Sequence, residues 1–418
     1  MISSHLWLPY SQMQTVPASL PVVRTDGVRL YLEDGRSLID GVSSWWTACH
    51  GYNHPHIQGA VAAQLERMPH VMLGGLVHAA AEKLAARLAA LLPGDLEHAF
   101  FAESGSVAVE IAMKMALQFR FNRGERERTR FLSFQHAYHG DTFAAMSVCD
   151  PTEGMHQLFG EVLSKQLVVP VPHDAALAAA FEATLARHAH ELTAIIVEPL
   201  VQAAGGMKFH TPETLAFIAA SARRHGLLLI LDEIATGFGR TGTLFACEQA
   251  SVTPDIVTLS KALTGGTLPL AATVASKHVY EAFLSDDFGR ALMHGPTFSG
   301  NPLACAAANA SLDLFASEPR LEQVAGIAAR LADGLAPCRA RTDVRDVRVK
   351  GAIGVVQLQR APRLDALRQR FVRHGVWVRP FGDVVYLMPP FVIDAADLEQ
   401  LIAAVHDVLA EASAAGEL

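Results

Sequence analysis

From about residue 56 to residue 260, helical patterns alternate with short apolar runs, and this alternation restricts the fold more than any other feature of the chain. The runs are HAFFAES, RFLSF, TAIIVEP, LLLILDE and DIVTLS; stretches such as SVAVEIAMKMALQF and ETLAFIAASARRHG lie between them. Apolar runs without polar alternation suit strands buried on both faces. Strands that return through helices must lie parallel, so an α/β fold is expected, with a mostly parallel sheet flanked by helices. Ligands of such sheets gather at the carboxyl ends of the strands. The residues that follow each run are therefore the first to weigh.

The chain's two ends read differently. Residues 1–48 suggest an irregular arm and then short strands, with Asp26-Gly27 and Asp34-Gly35 as hairpin turns. After about residue 305 an Ala-rich helix leads to the strand-like segments DVRVKGAIGVVQL, VWVRP and VVYLMPP. The expected division is an arm with strands over 1–48 that joins the small domain, a large domain over 49–305, and a smaller α+β domain over 306–418. With 418 residues and 50% hydrophobic content, a substantial core can form.

The formal charge of −8 argues against a nucleic-acid surface. The basic residues within Arg120–Arg130 alternate with glutamates and read as a solvated turn. The five cysteines are widely spaced and form no CxxC pair, which fits a reducing, cytoplasmic setting. The N-terminus lacks a signal-peptide pattern, and no apolar stretch approaches the roughly 18–20 residues of a membrane span.

Lys261 is one of only seven lysines, and it follows the run DIVTLS and precedes Gly265-Gly266. A buried lysine in that place can have a lowered pKa and act as a Schiff-base nucleophile; a surface lysine on a loop would look the same in one sequence. Asp232 ends LLLILDE, where a buried carboxylate needs a cationic partner such as a pyridinium nitrogen, or else is solvated at the strand's end. Glu103-Ser104-Gly105-Ser106 opens a helix, either as a phosphate cradle or as an ordinary cap. Tyr138 and His139 follow RFLSF, where an aromatic could stack on a cofactor ring or fill the core. Thr297 lies in the Gly/Pro-rich HGPTFSGNP, as a phosphate ligand or a turn residue.

Taken in order, FFAESGSVAVEIAMKMA, YHGDT, IIVEPLVQAAGG, LILDEIATGFGRTG, TLSKALTGG and HGPTFSGNPLAC resemble the signatures of class III aminotransferases, of the fold type I pyridoxal-phosphate superfamily. The resemblance spans essentially the whole chain. It implies pyridoxal 5'-phosphate as cofactor, with Lys261 as its covalent attachment and proton carrier. Asp232 would pair with the pyridine nitrogen, Gly105 and Ser106 would hold the phosphate, and Tyr138 would stack on the ring. Gln202 would approach the ring hydroxyl, with Glu198 and Pro199 supporting that loop. Pro296 and Thr297 would reach the phosphate of a neighbouring subunit, so the active unit would be a homodimer.

Three further segments, HLWLPYSQMQ, DGVSSWWTACHGYNHP and MPHVMLGGLVHAAAEKLA, resemble the branch of that class acting on 8-amino-7-oxononanoate in biotin synthesis. That likeness implies substrates of two kinds, the keto acid and S-adenosylmethionine as amino donor, with lysine as an alternative donor and another ω-amino acid aminotransferase as an alternative activity. Tyr10, Trp45, Tyr138 and Gly295 would line the substrate pocket beside Lys261, and Arg379 would bind the substrate carboxylate; which tryptophan of Trp45-Trp46 touches substrate stays open. Class members that use dicarboxylates often carry Q-G-E after the E-P pair. Ala204 stands here in the place of that glutamate, which disfavours a dicarboxylate donor.

Overall fold

The computed structural model describes residues 5–418, so the first four residues of the expected arm lie outside it. The hairpin signals are realised: β1 (Val22–Asp26), β2 (Arg29–Leu32) and β3 (Ser37–Asp40) form an antiparallel meander. Gly27 and Gly35 occupy its turns in the left-handed region.

The apolar runs become β4 (Leu96–Ala102), β5 (Arg130–Phe134), β6 (Leu167–Val169) and β7 (Leu192–Val197). After the short pair β8 (Val201–Gln202) and β9 (Lys208–Phe209) come β10 (Leu228–Asp232), β11 (Ile256–Leu259) and β12 (Ala271–Ser276). One seven-stranded sheet orders them β4-β12-β11-β10-β7-β5-β6. Contacts among β11, β10, β7, β5 and β6 are parallel, whereas β12 runs antiparallel to both of its neighbours. Two reversals cancel, so β4 points the same way as the parallel strands and its carboxyl end reaches the same edge. All residues of β7, β10, β11 and β12 are buried, which accounts for runs that carry no polar alternation.

The final third builds β13 (Val344–Lys350), β14 (Ile353–Leu358), β15 (Val376–Trp377) and β16 (Val384–Leu387). β13, β14 and β16 form their own sheet, while β15 pairs in parallel with β3 and so ties the C-terminal region to the N-terminal meander. The helix Pro302–Ser317 is continuous across the expected boundary at 305/306.

The basic segment is less solvated than the sequence suggests. Arg120 is buried and donates to Glu125 and to the carbonyls of Thr193 and Gly226, so it locks the end of the helix Gly105–Asn122 to the sheet. Among the described residues, no helix is long and apolar enough to cross a membrane.

Candidate active site

Five chain segments leave the same edge of the sheet and meet there. They follow β4 (Gly105, Ser106), β5 (Tyr138, His139, Gly140), β7 (Glu198), β10 (Asp232, Ile234) and β11 (Ser260, Lys261), and they line a cavity of about 150 Å³ together with Trp46, Ala204 and Ala235. Lys261 enters it directly from β11 with a left-handed φ of 47°. Desolvation lowers the pKa of its amine, against the opposing charges of Asp232, Glu198 and Asp141. A lysine lowered in this way holds more free base near neutral pH, as a nucleophile or proton carrier requires.

Asp232 is buried at the cavity wall. His139 Nδ1 lies 2.7 Å from its Oδ2, while the Thr258 hydroxyl and the Ile234 N–H donate to Oδ1 at 3.2 and 3.1 Å. Because a carboxylate only accepts, the shared proton sits on Nδ1 of the imidazole. The other ring nitrogen, His139 Nε2, is buried with no partner. Glu198 spends its two oxygens on the N–H groups of Tyr138 and Ala203. Burial raises its pKa to about 7.

The helix that starts at Gly105 is capped by Ser104, whose hydroxyl accepts from the Val107 N–H. Ser106 Oγ accepts from the Asp141 N–H at 3.0 Å, and this draws the loop after β5 over the helix start. Only glycine fits at position 140: its φ is +129°, and a Cβ there would lie 2.3 Å from Ser106 Oγ. A helix N-terminus with small side chains, a buried carboxylate across the cavity and a buried amine between them are the donor set that a phosphorylated pyridinium aldehyde requires. The residues present therefore fit pyridoxal phosphate.

The cavity mouth carries a second group of predicted residues. The Tyr10 and Tyr138 hydroxyls both donate to Asp141 Oδ1, which also receives His156 Nε2 at 2.9 Å. Tyr10 meets Trp45 edge to face at 6.3 Å, and the Arg379 guanidinium lies 4.5 Å from the centre of the Trp45 ring. Tyr138 stacks on His156 within the chain. Trp46 is separated from this group: it is buried, donates its indole N–H to the Tyr386 hydroxyl, and its ring centre lies 4.4 Å from Lys261 Nζ. The two tryptophans thus occupy two levels of the site. They do so because Ser43, Ser44, Trp45 and Trp46 all have φ between 47° and 73°, which makes a left-handed turn. Such residues cost about 1–2 kcal/mol each, so the turn needs support from around it.

Four predicted residues stand apart. Gly295, Pro296 and Thr297 line a different cavity, with Leu73, Val77 and Phe100 among its walls, and do not reach the Lys261 cavity of their own chain. Gln202 is buried and donates to the Gln135 carbonyl at 2.7 Å. Sequence reading assigned no role to Asp141 or to the His139–Asp232 pair, although Y-H-G-D-T carries His139 and Asp141 two residues apart, and it left open which tryptophan of the pair meets substrate.

A family model described as Aminotransferase class-III matches residues 10–409. An adenosylmethionine-8-amino-7-oxononanoate aminotransferase of Mycobacterium leprae is 45% identical over 415 residues, which cover 97% of this chain and 95% of that protein. The crystal structure of the enzyme of that name from Methanocaldococcus jannaschii superposes with a TM-score of 0.93 at 32% identity, covering 97% of each chain. An amine transaminase from an uncultivated Pseudomonas species, solved in its PLP-bound form, gives a TM-score of 0.91 at 31% identity over 97% of this chain and 98% of that one. The fold is accordingly fold type I, and the chain belongs to the class III aminotransferases, enzymes that work with pyridoxal 5'-phosphate.

Proposed function

We propose that this aminotransferase converts 8-amino-7-oxononanoate to 7,8-diaminononanoate in biotin synthesis, with S-adenosylmethionine as the amino donor. The observation that carries the reading is Arg379 against Trp45 at the cavity mouth, framed by Tyr10 and Tyr138. A guanidinium held on an aromatic face, with no ion pair to any described carboxylate, suits a carboxylate at the end of a long chain. The flat rings beside it accept both alkyl chain and sulfonium cation. Ala204 lines the cavity where a glutamate would otherwise place a negative charge.

When bound, pyridoxal phosphate supplies an electron sink that stabilises negative charge at the carbon from which a proton leaves. Lys261 would attach it, with Gly105 and Ser106 at its phosphate, Tyr138 on its ring and Asp232 at its ring nitrogen. Asp232 would keep a positive charge opposite it, since His139, Thr258 and the Ile234 N–H fix its carboxylate in place. Freed by the donor, Lys261 Nζ would take the proton from the donor's α-carbon, and in the second half-reaction deliver one to the carbonyl carbon of the keto acid. The Trp46 ring over Nζ shields that transfer from water. Gly295 would contact the substrate through its backbone. Gly295, Pro296 and Thr297 would serve the site of a second subunit, which makes the working unit a homodimer with shared sites. The five cysteines, all free and buried, agree with a reducing cytoplasm.

A donor screen with purified protein tests the reading. S-adenosylmethionine, lysine, glutamate and alanine are each paired with 8-amino-7-oxononanoate, and 7,8-diaminononanoate is measured. Product with S-adenosylmethionine is expected; product only with lysine changes the donor, and no product from any of the four overturns the reading.

A further inference from the structure

We propose that Asp40 is a positioning residue for substrate recognition, because its carboxylate holds the entrance of the left-handed turn that sends Trp45 to Arg379. The inference rests on the proposed acceptor only for its kinetic readout. Asp40 ends β3 and is fully buried. Its Oδ1 accepts from the Val42 N–H at 2.9 Å, and its Oδ2 from the Ser44 N–H and the Tyr52 hydroxyl, both at 2.6 Å. One carboxylate therefore satisfies the N–H groups two and four residues ahead, at the entrance of a turn whose backbone is disfavoured for residues with side chains.

The exit is held separately. The Ser43 hydroxyl donates to the Met388 carbonyl, and the N–H groups of Trp46 and Thr47 bond back to Val42 and Ser43. Without the Asp40 acceptors, the Val42 N–H at the entrance of the turn loses its partner and Ser44 loses the bond that holds it left-handed. Relaxation to an ordinary backbone would rotate the Trp45 indole off Arg379, whereas Trp46 stays held by its N–H bond to Val42 and its indole bond to Tyr386.

The same residue also sets the other side of the pocket. Asp40 pairs in register with Trp377 of β15, and the Gly41 N–H donates to the Trp377 carbonyl at 2.9 Å. Arg379 follows two residues later. The end of β3 thus fixes the guanidinium through β15 and the Trp45 face through the turn, and the 4.5 Å contact between them results from both. Asp40 does not line the Lys261 cavity, so its effect should fall on recognition rather than on proton transfer.

The test compares D40N, D40A and Y52F with wild type as holoenzymes, and again without cofactor. An amide at position 40 keeps one acceptor and turns an NH₂ toward a donor, so D40N loses part of the network; alanine loses all of it; Y52F removes only the Tyr52 hydroxyl. Expected in D40N are amide hydrogen exchange at residues 42–46 about tenfold faster or more, and a KM for 8-amino-7-oxononanoate raised about tenfold. The kcat should change by less than about threefold and cofactor content should stay at the wild-type level. D40A should go further in the same direction, and Y52F should show the smallest change. Unchanged exchange and KM in a folded D40N overturn the proposal, as does a loss confined to kcat. A wild type inert toward 8-amino-7-oxononanoate refutes the substrate reading instead. Hydrogen exchange and the near-ultraviolet circular dichroism of the indoles in cofactor-free protein then decide the role of Asp40.

Discussion

His139 Nδ1 and Asp232 Oδ2 lie 2.7 Å apart, both side chains are buried, and the far nitrogen of the imidazole has no partner. The pair gives the carboxylate an orientation that its strand alone would not. Replacing His139 with alanine leaves Asp232 one donor short in a buried site, a loss of about 1–3 kcal/mol. H139A should therefore keep its cofactor and lose about 10–100-fold in kcat. D232N, which also removes the negative charge, should lose more. Single-turnover rates with bound cofactor check the order; equal losses would show that His139 does more than orient.

Lys261→Ala removes the one amine in the cavity. Turnover should fall by about 10⁴-fold or more, and the visible absorbance of the covalently held cofactor should be absent. The measurement is a spectrum of the purified variant with added cofactor, followed by donor addition. Retained turnover would place the proton carrier elsewhere.

Arg379→Ala should raise the KM of the keto acid by about 10–100-fold, the usual worth of a hydrogen bond to a charged group, and leave cofactor affinity unchanged. Trp45→Ala should raise it less, because the ring positions the guanidinium from one side only. Trp46→Ala should act on kcat, since that ring covers Lys261. Steady-state kinetics on the three variants separate the two levels of the site.

Much of this could be read from the sequence because buried parallel strands leave an unmistakable record. LLLILDE is an unbroken apolar run up to Asp232 and DIVTLS carries only small polar residues among its aliphatic ones, so their burial was legible and Asp232 and Lys261 stood at their ends as candidates. β12 was not, because AATVAS is rich in alanine, a helix former, and becomes a strand only through its two antiparallel neighbours. The two levels of Trp45 and Trp46 were equally hidden. Adjacent residues separate in that way only on a left-handed turn, and no propensity predicts four such residues in a row. The Gly295–Thr297 segment matched a family signature, yet its place lies outside its own chain's cavity.

Glu198 makes stability depend on pH. Burial raises its pKa to about 7, above the ordinary carboxyl value, so the folded state binds its proton more tightly than the unfolded one. Its contribution is fully present below the unfolded value near 4.5 and is lost as pH rises toward about 7. In cofactor-free protein, E198Q should therefore gain stability relative to wild type between pH 5 and about 7.5. Thermal melts of both proteins across that range check the sign; a gap that narrows with pH would mean that Glu198 is ionised in the fold.

The proposed sharing of sites between subunits makes the sharpest prediction. Thr297 faces away from the Lys261 cavity of its own chain, in a wall with exposed Met72, Val77 and Phe298 nearby. If it serves a second subunit, T297V should weaken cofactor affinity by about tenfold, the worth of one hydrogen bond to a phosphate. A hybrid of one K261A and one T297V subunit then has one site with both defects and one with neither. That intact site should bind cofactor as wild type does and show about half the wild-type turnover per dimer. Were Thr297 to act within its own chain, every site in the hybrid would carry one defect, and no wild-type affinity would appear. Co-expression with two tags, isolation of the hybrid and a cofactor titration separate the two outcomes.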